Sequence, residues 1–182
     1  MLTRIVTRQE MNLGQIGIFM EEHSSNVIVY PVGRYGFKKK NYDKILLFQS
    51  KVNSISAIDL SYIAGLFDGE GCVNITKRQS RNSCSVRAKV YNSYEPIIVW
   101  LNSMIPANVY FHESKTASKG IWEYCLTDYF AEIFLRAVLP FLHVKSKQAK
   151  LAIEYLGQKK IGNYDGTAYY DSMKVYNQKG RA

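Results

Sequence analysis

"YIAGLFDGEGCVNI", residues 62–75, is the stretch on which the reading of the whole chain turns. Tyr62, Ile63, Leu66 and Phe67, with Ile58 before them, recur at helical spacing, and Ser56 or Asp59 can serve as N-cap. Past Gly71 the period changes to two, with Val73 and Ile75 on one side and Asn74 and Thr76 on the other. A helix therefore runs directly into a strand. Its last turn carries Asp68 and Glu70, at the end where the helix dipole is negative and carboxylates are least favoured. Gly65 and Gly69 are four residues apart and share a helix face, with Ala64 adjacent, so another backbone can approach closely there. Two readings are open: a tight helix contact inside the chain, or a contact with a second copy of the same helix. In the second, a twofold axis brings the two Glu70 carboxylates together, and their repulsion calls for a positive charge between them. A divalent cation meets that need, with Glu70 and the Gly69 carbonyl as hard oxygen ligands.

The pattern continues downstream. "CVNITKR" and "SVRAKVY" alternate as two strands around the polar turn "QSRNS". "SYEPIIVWLNSMI" is a helix with Pro96 in its first turn, where a missing N–H costs little. "ANVYFHES" and "GIWEYCLTD" form a second strand pair, "DYFAEIFLRAVL" and "KSKQAKLAIEYL" two more helices, and "YDSMKVYNQ" a last one. The order predicts an α+β domain, an antiparallel sheet covered by helices on one face. In the first hairpin Val73, Ile75, Val86, Ala88 and Val90 form the core face, while Asn74, Thr76, Arg78, Ser85, Arg87, Lys89 and Tyr91 form the other. Between Cys72 and Tyr94 lie five basic residues and no acidic one. Such a ribbon suits phosphates and base edges, although a solvated sheet face would also alternate in this way.

Residues 1–54 look different. "QIGIFMEEHSSNVIVYPV" is expected to form two short strands and "RYGFKKKNYDK" a basic linker, giving an N-terminal extension over 1–54 and a main domain over 55–182. The 182 residues carry 24 basic and 15 acidic side chains, a net charge of +9 that points to a polyanion. No apolar run approaches the roughly 20 residues needed to cross a bilayer, and no secretory leader is evident. The cysteines Cys72, Cys84 and Cys125 are too scattered for a disulfide framework and read as packing residues. The expected location is inside a cell: a bacterial cytoplasm or an organelle interior. His112 and His143 read as surface or packing residues, while Tyr91 and Tyr110 are candidates for sugar or base contacts.

"IAGLFDGEG", Ile63 to Gly71, resembles the LAGLIDADG motif of homing endonucleases and intron maturases, matching at Ala64, Gly65, Leu66, Asp68 and Gly71, with Glu70 in place of the second acid. "LPFLHVKSKQAKLAIEYL" and "KVYNSYEPIIVWL" are similar to later segments of that family. The resemblance implies an αββαββα core with a saddle-shaped sheet on DNA and additional C-terminal helices. It implies catalytic roles for Glu70, Asn92 and Lys145, Mg²⁺ or Mn²⁺ held by Glu70 and Gly69, and DNA contacts by Asn74, Thr76, Arg78, Ser85, Arg87 and Lys89. Asp68 is assigned to structure, holding the motif turn through hydrogen bonds to backbone amides. Ala64, Gly65 and Gly69 would lie at a dimer interface. One motif per chain implies a homodimer and a long pseudo-palindromic double-stranded DNA site. Pro96 stands where some members carry an arginine, which leaves Lys145 as the main basic group of the pocket. The implied function is a site-specific DNA endonuclease; a splicing maturase or a catalytically silent DNA-binding protein are the alternatives.

Overall fold

A computed structural model describes residues 39–77, 84–113, 120–162 and 165–178. The elements run α1 (Lys39–Asn53), α2 (Ala57–Glu70), β1 (Gly71–Lys77), β2 (Cys84–Asn92), α3 (Glu95–Met104), β3 (Asn108–His112), β4 (Ile121–Thr127), α4 (Asp128–Val138), a 3₁₀ turn (Leu139–Phe141), α5 (Ser146–Lys160) and α6 (Thr167–Gln178). The four strands form one antiparallel sheet in the order β1-β2-β4-β3. The helix and strand order expected from residue 56 onward is the one observed.

Ser56 caps α2: its hydroxyl accepts the Asp59 N–H at 3.1 Å and donates to the Asp59 carboxylate at 2.6 Å. The buried side of α2 is Ile63, Ala64 and Phe67, with Phe67 edge-on to Phe134 of α4 at 5.1 Å. The sheet presses Val73, Ile75, Val86, Ala88 and Val90 onto this layer, as the alternation predicts. Deep in it, α4 buries Ala131, Ile133, Phe134, Leu135 and Val138. Glu132 is fully buried on the same helix, where its Oε1 receives Arg136 at 3.0 Å and Lys160 of α5 at 2.8 Å.

Two expectations need correction. The linker predicted over residues 34–44 is helical from Lys39, and α1 puts Ile45, Phe48 and Val52 into the main core. Phe48 meets Phe130 of α4 edge-on at 4.9 Å. Packing therefore crosses the position at which the extension was expected to end, because Ile45, Phe48 and Val52 share one helical face. Ile58 and Tyr62, read together with Ile63 and Phe67 as one apolar series, are 82% and 57% exposed. They lie on the outer face of α2, which is apolar on both sides. The two strands expected near residues 15–32 lie outside the described residues. No described helix is long and apolar enough to cross a membrane.

Candidate functional site

The motif helix ends against the turn that leads into α5. Asp68 Oδ2 accepts the N–H groups of His143 and Val144 at 2.7 and 3.1 Å, and Oδ1 accepts that of Lys145 at 2.9 Å. Partial burial pushes the Asp68 carboxyl up, but the three amides and the Lys145 charge outweigh it and hold the group below the ordinary aspartate range. Asp68 does bond backbone amides, but they are those of the 143–145 turn and not those of the motif's own turn, where they were expected. Lys145 turns back, and its ammonium donates to the Asp68 carbonyl. Burial lowers the Lys145 pKa, against the opposing pull of Asp68, Cys72 and Glu70. These charges therefore share one corner of the molecule. Glu70 and Gly69 are exposed there, and the last carbonyls of α2 have no donor further along the helix.

Gly71 pairs with Val90, so Asn92 lies two residues beyond, at the end of the sheet where α2 arrives. The Asn92 amide oxygen accepts the Tyr94 N–H at 2.8 Å and turns the chain into α3, which leaves the amide nitrogen as its outward donor.

Register lays out the solvent face of the sheet. Cys72, Lys89, Cys125 and Asn108 form one row; Asn74, Arg87 and Thr127 the next; Tyr91, Glu123 and Tyr110 a third. Arg87 is exposed on this face and makes no ion pair among the described residues. Asn74 and Thr76 are half-exposed. Two expected DNA contacts are engaged within the fold. Ser85 is 9% exposed and its hydroxyl donates to Asp128 Oδ1 at 3.3 Å, so it is turned into the fold. Lys89 is committed to Glu123 at 2.7 Å and to the Tyr91 hydroxyl at 3.0 Å. Burial lowers the Lys89 pKa, but those two partners win and it is pushed up to about 12. Arg78 lies outside the described residues. Of the expected interface residues, Ala64 is 0% exposed and faces its own core, whereas a Cβ built on Gly65 or Gly69 meets nothing within 4 Å. Ile58, Gly65 and Gly69 thus lie exposed along one side of α2, beside Tyr62, whose half-exposed ring meets Trp100 of α3 edge-on at 5.2 Å.

Glu123 is absent from the sequence-based candidates, although alternation along "GIWEYCLTD" places it outward on β4. It also lies 3.0 Å from His112 Nε2, so that the half-exposed surface histidine is hydrogen-bonded to it. Burial raises the Glu123 pKa, and Lys89, Tyr91 and His112 together bring it below the ordinary range.

No protein-family model and no curated protein matches this sequence. Among solved structures, the chain is similar to the homing endonuclease I-CvuI in complex with the I-CreI target, at 20% identity and a TM-score of 0.54 over 65% of this chain and 82% of that one. With I-CvuI bound to its Sro1.3 target the identity is 18% and the TM-score 0.55, over 72% and 84% of the two chains. The archaeal intron-encoded homing endonuclease I-Vdi141I, complexed with DNA, matches at 11% identity and a TM-score of 0.54, over 65% and 84%. The chain has the LAGLIDADG homing-endonuclease fold. Within that fold, the motif is α2 and its run into β1, and the polar sheet face is the one carrying Arg87, Lys89 and Glu123.

Proposed function

We propose that the protein is a site-specific double-strand DNA endonuclease that works inside a cell as a homodimer on a long pseudo-palindromic site, with divalent metal. One observation carries the reading: exposed Glu70 ends a helix whose outer stripe is uncovered, at the corner where Lys145 and the polar sheet face meet. Pairing of two Gly65–Gly69 stripes would set both Glu70 carboxylates near the twofold axis.

The donors fit a hard divalent cation, since Glu70 offers an exposed carboxylate and Gly69 a helix-terminal carbonyl. Among the described residues, no three His, Cys, Asp or Glu side chains gather into a ligand set within one chain. A second Glu70 or a DNA phosphate would complete the coordination. Bound Mg²⁺ or Mn²⁺ would polarise the scissile phosphate and lower the pKa of the attacking water. Lys145, anchored through Asp68, holds a positive charge beside the phosphate as negative charge develops. Asn92 presents its amide nitrogen to orient solvent. Arg87, Asn74 and Thr76 supply contacts to bases and phosphates across the face.

The test is cleavage of a randomised duplex library with Mg²⁺. The expected result is cutting at one or a few twofold-symmetric sites, lost in Glu70→Gln while binding persists. Cutting undiminished by that substitution would refute the metal assignment.

A further inference from the structure

At the free edge of the sheet, α6 lies along β1 without joining it. Buried Met173 anchors the helix, and Asn177 Nδ2 donates to the Val73 carbonyl at 3.1 Å and to Asn74 Oδ1 at 3.2 Å. Between strand and helix runs an open groove of about 340 Å³, lined among others by Asn74, Ile75, Thr76, Tyr170, Lys174 and Gln178. Alternate residues of an edge strand direct their backbone groups the same way, so the Ile75 N–H faces the free edge together with the Val73 carbonyl. At one end Lys77 and Lys174 each place an ammonium 4.7 Å from the centre of the Tyr170 ring. The ring quadrupole holds each of the two ammoniums close to the same side chain. Neither forms an ion pair among the described residues; Asp165 and Asp171 act on them only from beyond ion-pair distance. Hydrogen bonding to the Tyr170 hydroxyl further raises the Lys174 pKa, which keeps the ammonium charged. The groove itself offers donors in the Lys174 ammonium, the Gln178 amide nitrogen and the Ile75 N–H, and the Lys77 ammonium stands at the same tyrosine ring. A groove with these donors, beside two ammoniums held by one tyrosine, suits an anion.

We propose that this β1–α6 groove is a second nucleic-acid contact, which takes a backbone phosphate of the duplex flanking the segment under the sheet. The proposal rests on the endonuclease reading. Asn74 and Thr76 belong to both the groove and the sheet face, so a duplex lying on that face passes the groove as it leaves the edge. Lys77 ends β1 and Glu70 immediately precedes that strand, so the groove's cationic end is about 24 Å from the cleavage corner at roughly 3.4 Å per strand residue. The contact therefore adds sequence-independent affinity without touching the chemistry.

The experiment measures how binding of a fluorescent mixed-sequence duplex by the full chain depends on salt. Each phosphate contact contributes about 0.9 to the slope of log K against log salt. Lys77→Gln/Lys174→Gln is expected to reduce the slope by about one per subunit, equally for all sequences, and Lys174→Gln alone by about half of that. Both lysines are exposed, so the fold is retained, and cut positions on cleaved DNA stay the same. Lys51→Gln on α1 is the control for net charge. A double-variant slope matching wild type, or an equal loss in Lys51→Gln, overturns the proposal. So does a loss on structured RNA with none on duplex DNA. Failure of the wild-type chain to bind duplex removes the endonuclease reading itself, and this proposal with it.

Discussion

Replacing Asp68 by Asn tests what holds the 143–145 turn, and with it Lys145. The carboxylate serves three backbone donors, two on Oδ2 and one on Oδ1. An amide keeps a single acceptor atom. It can retain the His143 and Val144 bonds, but it then sets its NH₂ against the Lys145 N–H. One charge-assisted bond is lost and two become neutral. Bonds to charged groups are worth about 1.5–3 kcal/mol and neutral ones about 1 kcal/mol. Because Asp68 is only half-buried, solvent screening favours the low end, and a loss of about 2 kcal/mol is expected. For a chain of this size that lowers Tm by about 4–8 °C. The pH dependence has a definite sign. Since the folded-state pKa of Asp68 is depressed, its stabilisation is complete above the ordinary aspartate range and disappears as pH falls through the folded value. Urea melts of wild type and Asp68→Asn should therefore be well separated at neutral pH and converge in acid. DNA cleavage should fall too, since Lys145 loses the bond that seats its backbone. Coincident melting curves at neutral pH, or a separation that persists unchanged into acid, would refute the reasoning.

Gly65→Ala adds a methyl that meets nothing within 4 Å in the single chain, and it removes a helix-interior glycine. The isolated chain should gain about 1 kcal/mol, whereas sedimentation should show weaker dimers; tighter dimers would count against a stripe-to-stripe interface. Glu123→Gln removes the counter-ion of Lys89, whose pKa should fall from about 12 toward the ordinary lysine range, as NMR titration of its side chain would report. The freed ammonium should also strengthen non-specific duplex binding at low salt. An unmoved Lys89 pKa would mean that Glu123 is not what raises it.

Local pattern was enough for most of the architecture from residue 56 onward. The period change at Gly71, the Ser56 cap and Pro96 at a helix start are short-range signals that coincide with observed boundaries, and the strand expected from Ser85 begins one residue earlier, at Cys84. Alternation also assigned the core face of the first hairpin, because a strand with one buried side leaves no freedom in which residues face inward. The motif and the later segment Leu139–Leu156 pointed to Glu70 and Lys145, whereas the turn that Asp68 fastens lies some seventy-five residues on and was not legible from its neighbours. α1 was hidden because "KKKNYDK" is polar by composition while its apolar stripe begins only at Ile45.

What the sequence by itself determined is the order of elements, the two faces of the first hairpin and the identity of the motif, since all of these depend on neighbours within a few positions. Only the tertiary structure decided which charges are free. Lys89 meets Glu123 from a strand over thirty residues away, Ser85 meets Asp128, and Asn177 reaches back to Val73 across the sheet edge. A side chain's charge is a local property, but its partner is set by how distant segments pack, and electrostatics act between whatever groups the fold brings within a few ångströms.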